Sequence, residues 1–597
     1  MAAEPATNIY AERIAKLRSL GYDALIISGT DPHSSEYPAP RWQQVKWASG
    51  FTGETGDIVV TADHAGLWTD TRYFIQAVPQ LKGSGIELHK TRVADEVLIP
   101  DWLAGKFRGE SIRVGIDGLC QSVGAVQSLR KTLEAACGAG NVEIVDAPDM
   151  LSAMWPDRPA IPHTPIEVHD DRYASDSRTA KLDWLRGELR KRGCASMFLT
   201  SLEEIAWLLN VRATDTGYDP YVISYLAVTQ DKAVWFVRNV EEAPELKGVF
   251  NAGYDVLEDA FIDLQTKGRM LVDPETLNYH VAELIKEHFG GSGLLFGTSP
   301  VILKKGVKTR KEIDNIRRIH IEDGVAMENF LYWLDKELAS GSVVDEWTAS
   351  QKMTEFRSRI EGYRGNSFEN ISAYGANAAL PHYVTPHEGS AVIRRKGLYL
   401  IDSGGQYLTG TTDITRTVPV GKCSRLEKED YTLVLKGMID LSMAIFPRGT
   451  AGCQIDAVAR EPLWAARRNF GHGTGHGIGY WLGCHEGPQS IRQNFLNQPL
   501  LPGMITSNEP GLYREGRHGI RHENLILCKE DKTTEFGEFL CFETLTLCHI
   551  DTSAVKRKLL TKAERKWLKA YNRRVYKTLK DRVEPEVAKW MKKKGRF

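Results

Sequence analysis

Several common features are missing from this sequence of 597 residues, and each absence narrows the class of protein. No apolar run approaches the roughly 18 residues that span a bilayer, so we expect no membrane segment. The N-terminal stretch MAAEPATNIYAERIAKLRSLGYD lacks the apolar core of a secretory signal. The nine cysteines include no CxxC pair and are odd in number, which argues against a disulfide framework and favours a reducing compartment. The sequence therefore predicts a cytoplasmic protein.

An excess of one charge is also missing, because 76 basic residues nearly balance 77 acidic ones and the net charge is -1. That balance gives no support to a nucleic-acid partner. Only the C-terminal stretch departs from it: residues 551–597 contain 17 Lys or Arg and 5 Asp or Glu, a net of +12, which leaves about -13 for the rest. The tail's apolar residues have helical spacing, at Trp567, Leu568, Tyr571, Val575 and Leu579. We expect a docked helix with a solvated basic face rather than a nucleic-acid arm.

What is present is a hydrophobic fraction of 42%, enough for several buried cores. A helix pattern around Ile14 and a strand pattern from Ala24 are followed by GDIVVTADHAGLWTDTRYF, which predicts a hairpin. After a Pro-rich linker at 155–165 the same plan recurs, with a helix at SRTAKLDWLRGELRKRG and strands at SMFLT, VISYLAV and KAVWFV. Two α/β segments of similar layout indicate an internal duplication.

A third segment opens near Val301 with a long helix that starts at 308–312, and from Gly397 onward we expect strands, Gly-rich turns and few helices. Here the strand GLYLI delivers Asp402, and a second strand begins near Asp413, eleven residues later. A hairpin of this kind brings two carboxylates onto neighbouring strands. His476 lies in HGTGHG, Glu509 follows MITS, and Glu523 precedes LIL.

Two Asp and two Glu that meet in an interior repel each other unless cations lie between them. Four carboxylates and one imidazole form a mainly oxygen donor set, which favours two Mn²⁺ or similar divalent ions. Paired metals share a bridging hydroxide and polarise a substrate carbonyl, which is hydrolytic chemistry. Singly, each residue has a plainer interpretation as a turn former or a surface acid. A zinc HxxxH helix at His472 and His476 is disfavoured, because three glycines in seven residues oppose a helix and no Glu follows His472.

This order of residues resembles the five-ligand site of the pita-bread metallopeptidases, which include methionine aminopeptidase, prolidase and aminopeptidase P. The motifs SEYPAPRWQQVKWASGFTGETG, WTDTRYF, WPDRP, SLEEIAWLLNVR, IDSGGQYLTGTTDITRTV, HGTGHGIG with HEGP, and NEPGLY with GIRHEN are similar to those of the long, three-domain aminopeptidase P family. The resemblance covers nearly the whole chain. It implies an α/β domain at 1–157, a second α/β domain at 158–305, and a pita-bread catalytic domain with a C-terminal helix at 306–597.

The resemblance also implies roles for single residues. Asp402 and Asp413 would hold one metal, Asp413 and Glu523 would bridge to the second, and His476 and Glu509 would complete it. His382, His485 and Glu509 would be catalytic. Substrate contacts are implied for six residues: Arg72, His382, His472, His485, Tyr513 and Arg521. The implied substrates are peptides with proline second, cleaved at the N-terminal Xaa-Pro bond, and the implied assembly is a homodimer.

Two departures from the family pattern are small: Asn508 stands where relatives often have Asp, and His522 occupies a position that is usually apolar. Neither is an implied ligand, so they bear on activity level and pH profile, and we expect Asn508→Asp to have a mild effect. Three alternatives stay open. A prolidase would cut dipeptides, a creatinase-like relative would lack metal ligands, and a non-catalytic protein would use the same fold to bind peptides or histones.

Overall fold

The computed structural model describes residues 8–255, 257 and 268–597. The chain forms two compact units. Unit 1 comprises Met1–His169 and Asp176–Val301, and unit 2 comprises Asp170–Ser175 and Ile302–Phe597. Within the described residues, no helix is both long enough and apolar enough to cross a bilayer.

The helices and strands of unit 1 alternate along the chain. The helices are α1 (Ile9–Arg18), α2 (Gln44–Ser49), α3 (Phe74–Gln80), α4 (Ile99–Lys106), α5 (Val123–Cys137), α6 (Arg178–Lys191), α7 (Leu202–Leu209) and α8 (Tyr279–Phe289). The strands are β1 (Ala24–Ile27), β2 (Asp57–Thr61), β3 (Ala65–Thr69), β4 (Glu87–Lys90), β5 (Ile112–Ile116), β6 (Val142–Asp146), β7 (Glu167–Val168), β8 (Cys194–Leu199), β9 (Val211–Arg212), β10 (Ser224–Thr229), β11 (Ala233–Val237), β12 (Phe250–Gly253), β13 (Arg269–Val272) and β14 (Leu294–Phe296).

Unit 1 contains two six-stranded sheets with the same plan. The first has the order β4-β3-β2-β1-β5-β6 and the second β12-β11-β10-β8-β13-β14. In each, the first strand in sequence lies between an antiparallel hairpin and a parallel pair: β1 pairs β2 antiparallel and β5 parallel, and β8 pairs β10 antiparallel and β13 parallel. Repetition of this order confirms the recurring layout that the sequence predicts, and the hairpin β2–β3 confirms the one expected around residues 56–74.

The central strands of both sheets are buried along their whole length, as expected for strands covered on both faces. All four residues of β1 and all six of β10 are buried. The Pro-rich linker is held at its first residue. Trp155 stacks on Trp47, with ring centroids 5.4 Å apart.

In helix α9 (Pro300–Gly306), the first two residues belong to unit 1 and the others to unit 2, as do the remaining elements. The helices are α10 (Arg310–Ser340), α11 (Glu346–Ser358), α12 (Arg425–Ser442), α13 (Gly452–Ala465), α14 (Lys562–Leu579) and α15 (Pro585–Lys594). The strands are β15 (Tyr363–Asn366), β16 (Ile371–Tyr374), β17 (Leu398–Ser403), β18 (Gly405–Tyr407), β19 (Gly410–Thr411), β20 (Ile414–Pro419), β21 (Ile445–Pro447), β22 (Gly475–Gly477), β23 (Glu486–Ile491), β24 (Ile505–Asn508), β25 (Gly511–Arg514), β26 (His518–Arg521), β27 (Asn524–Thr534) and β28 (Gly537–Thr544).

The sheets of unit 2 position the carboxylates. Strands β16-β17-β20 form one antiparallel sheet, and β21-β28-β27-β24-β22-β23 form another. Opposite Asp402 on β17 lies Thr415 of β20, two residues beyond Asp413. Asn508 of β24 pairs with Asn524 of β27, so Glu509 and Glu523 leave the same end of this strand pair. The pairing register of these strands therefore brings together acids that are distant in sequence.

The long helix α10 begins where the sequence predicts. Thr309 caps it and forms a capping box with Glu312, which satisfies otherwise unpaired backbone N–H groups. The expectation of few helices after Gly397 is wrong, however. Helices α12 and α13 lie between β20 and β22, and α12 has buried residues on nearly every side, so its sequence shows no clear apolar stripe.

The basic tail folds as two helices. Leu568, Tyr571, Val575 and Leu579 of α14 are buried, which confirms the docked helix. Its Lys566 and Lys569 stay exposed, as expected for a solvated basic face.

Candidate metal centre

The first pair of acids lies on the hairpin β17–β20. Asp402 is buried within β17, and its Oδ2 accepts hydrogen bonds from Arg521 Nη2 at 2.5 Å and Nε at 3.1 Å. Its Oδ1 is buried without a hydrogen-bond partner. Asp413, immediately before β20, is also buried. The predicted pair of carboxylates is thus present, with Asp402 on β17 and Asp413 just before the adjacent strand β20.

His476 lies in the short strand β22, not in a helix, so its ring is oriented by the backbone. Its Nδ1 is 2.9 Å from the carbonyl oxygen of Gly477, which requires the proton on Nδ1 in the neutral ring. Nε2 then carries the lone pair, and it faces Asp413 Oδ2 and Glu509 Oε1, each 3.4 Å away. A lone pair aimed at two carboxylates is unfavourable unless a cation lies between them.

The two glutamates close the cluster from β24 and β27. Glu509 Oε1 accepts a hydrogen bond from Ser507 Oγ, and its backbone N–H donates to Thr474 O at 2.8 Å. Glu523 Oε2 accepts from Thr415 Oγ1 at 2.8 Å, whereas Oε1 is buried without a partner. Ser507 also accepts the backbone N–H of His476, so one hydroxyl orients both an acid and the imidazole.

All five residues predicted as metal ligands lie in one connected cluster. Ligand atoms within 4.8 Å of one another occur in three overlapping sets: Asp402, Asp413 and Glu523; His476, Glu509 and Glu523; and Asp413, His476 and His485. Because the sets share Asp413, His476 and Glu523, the arrangement accommodates two neighbouring cations rather than one.

Without a cation, the pKa values of this cluster reflect burial and mutual repulsion. Burial raises the pKa of Asp402 although Arg521 opposes the shift, and burial also raises the pKa of Glu509. The pKa of Glu523 is raised well above its ordinary value by burial and by the charges of Asp413, Glu509 and Asp402. Burial acts in the same direction at Asp413, but the neighbouring imidazoles of His476 and His485 and the thiol of Cys484 hold the pKa below its ordinary value.

These observations fit a divalent metal pair. Two buried carboxylate oxygens lack partners, one imidazole lone pair faces two acids, and the donor set is mainly oxygen. Hard or borderline cations such as Mn²⁺ prefer carboxylate donors of this kind.

Arg521, Tyr513 and His472 form a chain of hydrogen bonds beside Asp402. Arg521 Nη1 donates to Tyr513 OH at 2.7 Å, and Tyr513 OH lies 2.7 Å from His472 Nε2. Burial raises the pKa of Tyr513 to about 12, and burial together with Arg521 lowers the pKa of His472 well below its ordinary value. His472 therefore presents a neutral ring, and these three predicted residues lie together.

The remaining predicted residues divide between the units. His485 packs edge-on against His476, with ring centroids 4.2 Å apart, and His382 is near enough to His472 to contribute to its lowered pKa. Arg72 belongs to unit 1, where it pairs with Asp70 and donates from Nη2 to Thr55 Oγ1 at 2.8 Å. Its substrate contact stays a prediction.

A buried ion pair holds the segment from Phe470 to Thr474, which precedes His476, and the sequence motifs did not indicate it. Arg460 and Asp456, one turn apart on α13, pair with each other. Arg460 donates from Nη1 to Phe470 O and from Nη2 to His472 O, each at 2.7 Å. Asp456 Oδ1 accepts from Thr474 Oγ1 at 2.5 Å. A helix that the sequence did not predict therefore fixes the segment before His476.

Three further residues, Cys484, Glu486 and Arg416, make contacts that stabilise the surroundings of the cluster. Cys484 Sγ donates to Asp413 Oδ2 at 3.4 Å. Glu486, of the HEGP motif, accepts Lys305 Nζ at 2.5 Å and the backbone N–H of Gly483 at 2.9 Å. Arg416 donates from Nη1 to Glu523 O and from Nη2 to Tyr571 OH. Apart from Gly483 and Glu486, the paired residues are distant in sequence, so the motifs that contain Glu486 and Arg416 did not reveal these contacts.

The two departures from the family pattern have clear surroundings. Asn508 Nδ2 donates to Met438 O at 2.8 Å and to Ser442 Oγ at 3.0 Å, so an Asp there would place an oxygen against a carbonyl. We now expect Asn508→Asp to cost stability. Burial and Arg416 lower the pKa of His522 to about 3, so this ring, packed edge-on against Tyr431, is neutral at physiological pH.

Comparison with known families covers nearly the whole chain. Residues 12–154 and 157–312 match the Creatinase/Prolidase N-terminal domain, residues 314–530 match Metallopeptidase family M24, and residues 538–596 match the C-terminal region of peptidase_M24. These matches and the structure confirm two N-terminal α/β domains ahead of a pita-bread domain.

Individual relatives match from end to end. A Laccaria bicolor protein named "Probable Xaa-Pro aminopeptidase P" is 35% identical over 592 residues, which cover 96% of this chain and 90% of the relative. "Aminopeptidase P2" of Arabidopsis thaliana is 36% identical over 618 residues, covering 96% and 86%.

A solved structure extends the similarity to three dimensions. The X-prolyl aminopeptidase of Caenorhabditis elegans, described as a cytosolic enzyme with a di-nuclear active site, superposes with a TM-score of 0.92 at 33% identity and covers 98% of this chain and 99% of its own. Sequence, fold and cluster geometry agree: the chain belongs to metallopeptidase family M24, among the aminopeptidase P enzymes.

Proposed function

We propose that this enzyme removes the N-terminal residue from peptides whose second residue is proline, and that it does so at a dinuclear site of the manganese type. The observation that carries the proposal is the cluster of four carboxylates and one imidazole, in which overlapping sets of ligand atoms lie within 4.8 Å of one another. The names of the fungal and plant relatives and the di-nuclear site described for the nematode enzyme support it.

In this proposal, Asp402 and Asp413 would hold one metal, His476 and Glu509 would hold the second, and Asp413 and Glu523 would contribute to both. When bound, the metal pair supplies a hydroxide nucleophile from water and polarises the carbonyl of the scissile bond. The choice of Mn²⁺ rests on the oxygen-rich donor set.

The proton is handled by the chain's own residues. Glu509 is positioned for this role, because its Oε1 accepts a hydrogen bond from Ser507 Oγ and lies 3.4 Å from His476 Nε2 within the cluster. Glu509 would take a proton from the nucleophile and pass it to the proline nitrogen that leaves. His485, whose ring packs against His476, would assist the transfer.

The histidines on the substrate side have different tasks. His382 would donate a hydrogen bond to the oxygen on which negative charge develops. His472 is neutral because burial and Arg521 lower its pKa, and it would form an uncharged wall for the proline ring, held in place by Tyr513. Arg72 would contact the far end of the peptide.

An Xaa-Pro bond suits such a site because it is a tertiary amide without an N–H donor. Cleavage that depends on carbonyl polarisation does not need that donor. Conversely, a substrate with alanine second brings a buried N–H that the site need not satisfy, and it loses the apolar contact of the ring.

The broader organisation is also part of the proposal. The three domains would span 1–157, 158–305 and 306–597, and the two separate six-stranded sheets of unit 1 support the first division. We propose a cytoplasmic location, in keeping with the cytosolic nematode relative and with nine free cysteines. We also propose that the protein forms a homodimer and has neither nucleic-acid nor membrane partners.

Matched peptides test the specificity. With the Mn²⁺-loaded enzyme, kcat/KM should be at least about 10-fold higher for Xaa-Pro-Xaa than for Xaa-Ala-Xaa, since a lost apolar contact costs about 1–3 kcal/mol. The dipeptide Xaa-Pro should be cut more slowly than the tripeptide, because its carboxylate approaches the acidic cluster. Equal rates for proline and alanine would refute the proposal, exclusive cleavage of dipeptides would identify a prolidase, and no hydrolysis at all would favour a binding protein.

A further inference from the structure

A second group of metal-binding side chains lies on the first sheet of unit 1, at its edge. Strands β3 and β4 run parallel, with Gly66 opposite Glu87 and Trp68 opposite His89. Side chains alternate along a strand, so Glu87 and His89 share one face of β4. His64, the residue before β3, lies two positions from Gly66 and shares that face. Hairpin and strand register therefore bring together two imidazoles and a carboxylate.

The distances within this group suit a bound cation. His64 Nε2 lies 3.0 Å from His89 Nε2, and His64 Nδ1 lies 3.8 Å from Glu87 Oε2. One ligand atom from each of the three residues lies within 4.8 Å of the others. Because Zn–N and Zn–O bonds are about 2.0–2.2 Å long, ligand atoms around one zinc ion must lie about 3–4 Å apart.

The two rings are held in position by their neighbours. His89 stacks on Trp68, with ring centroids 3.8 Å apart and planes 8° apart, and His64 packs on Trp102 at 4.8 Å. A Cβ at Gly66 would lie 2.7 Å from both His64 Nε2 and His89 Cδ2. Glycine at position 66 therefore leaves the space in which the two imidazoles meet, and the packing fixes them before any ligand arrives.

Both rings are in the protonation state that binds metals. Burial lowers the pKa of His64 and of His89, and the neighbouring His64 lowers the pKa of His89 further, while Glu87 opposes both shifts. The cation Lys106 contributes to the shift at His64, although its own charge is paired with Asp63 at 2.7 Å. At neutral pH the rings are neutral, and Glu87, largely exposed, is free to turn toward a bound ion.

A hydrogen bond between the two imidazoles accounts for the short N–N distance when one ring is the donor. It does not involve the carboxylate. When no proton lies between the rings, one nitrogen of each imidazole and one oxygen of Glu87, all within 4.8 Å of one another, give two nitrogens and one oxygen with room for a fourth ligand, which suits zinc or copper.

We propose that His64, Glu87 and His89 form a binding site for a divalent transition metal of the zinc or copper type. The site shares no residue with the carboxylate cluster, and its nitrogen-rich donor set selects different metals from an oxygen-rich set. It stands independently of the proposed peptidase activity.

Copper titration of the full-length protein tests this site, with the carboxylate cluster loaded with Mg²⁺, which prefers oxygen ligands and gives no electron paramagnetic resonance signal. At one equivalent of Cu²⁺, the electron paramagnetic resonance spectrum should show two nitrogen donors, and the fluorescence of Trp68 and Trp102 should be quenched. His89→Ala should lose one nitrogen and weaken copper binding by more than about 10-fold. His288→Ala, which removes an exposed histidine of the same unit, is the matched control and should leave both unchanged.

A second variant separates metal binding from folding. Glu87 is exposed, so Glu87→Lys leaves the ring packing intact, yet it places a cation at the site and should also weaken copper binding by more than about 10-fold. Hydrolysis of Xaa-Pro-Xaa should be unchanged in every variant. If His89→Ala and Glu87→Lys bind copper with the affinity and spectrum of the natural protein, the site does not exist.

Discussion

Asp413 occupies the centre of the carboxylate cluster, because it belongs to two of the three sets of ligand atoms. His476 Nε2 and Cys484 Sγ both contact its Oδ2. Its removal therefore affects both proposed metal positions, whereas removal of Asp402 affects one.

Asp413→Ala should reduce bound Mn²⁺ from about two ions per chain to less than one and abolish hydrolysis of Xaa-Pro-Xaa. Elemental analysis after dialysis, together with kcat, measures both effects. Asp531→Ala, at an exposed position of β27, is the control and should behave like the natural protein. Full metal content and normal turnover in Asp413→Ala would show that the ligand assignment is wrong.

At this scale, the sequence predicted the acids and histidines of the cluster but not the groups that hold them. The four acids lie at or next to the ends of strands, and the sequence pattern predicts strand ends. They are Asp402, Asp413, Glu509 and Glu523. The Asp456–Arg460 pair lies on a helix and acts through backbone carbonyls of another segment. A contact to a backbone carbonyl leaves no trace in the residue types of the segment it holds.

Among the elements, α12 and α13 were missed for a physical reason. Helix α12 is buried around most of its surface, from Tyr431 to Leu441, so it lacks the polar face that gives a helical pattern. Its capping box of Ser424 and Glu427 was a usable signal. Helix α14 was predicted because one face stays solvated and basic.

Helix α14 also connects the tail to the cluster. Arg416 is buried and donates both to Tyr571 OH of α14 and to the backbone carbonyl of Glu523. Tyr571 OH in turn lies 2.9 Å from Cys548 O. The position of a proposed metal ligand thus depends on a helix about fifty residues further along the chain.

Deleting residues after Leu560 should make the protein insoluble, because the apolar face of α14 covers a core that includes Tyr431 and Val434. A soluble, fully active truncation would contradict this structural role. Salt-dependent nucleic-acid binding that is lost on truncation would assign the tail a role in nucleic-acid binding instead.

Tyr571→Phe, which removes only the hydroxyl, should fold but lose about 1–2 kcal/mol of stability. Thermal unfolding measures this loss, and Lys569→Gln on the exposed face should leave the midpoint unchanged.

For the whole molecule, the sequence predicted the repeated layout well because each α/β segment contains its own buried strands and connecting helices. The two sheets of unit 1 have the same strand order, although no sequence period links them. The near-zero net charge, in contrast, hides the acidic cluster, since four buried carboxylates are balanced by basic residues elsewhere in the chain.

The stability of the whole molecule should therefore depend on metal and on pH together. In the chelated protein, burial and mutual repulsion raise the pKa of Glu523 well above its ordinary value, and burial raises those of Asp402 and Glu509. The folded state then binds more protons than the unfolded state, so stability falls as the pH rises above the ordinary carboxyl pKa of about 4.3. The lowered pKa of Asp413 acts in the opposite direction but belongs to one group against three.

Bound Mn²⁺ should remove this dependence, because cations between the carboxylates favour their ionised forms. We expect the unfolding midpoint of the chelated protein to decrease as the pH rises from the ordinary carboxyl pKa of about 4.3 toward the alkaline range, while that of the loaded protein stays level. Excess Mn²⁺ should raise the midpoint most at the alkaline end, since it stabilises by about 2.7 kcal/mol at 100 times its Kd. Calorimetry with and without chelator measures both curves. Parallel curves would mean that the four acids do not share a cation, and the metal centre would then have to lie elsewhere in the chain.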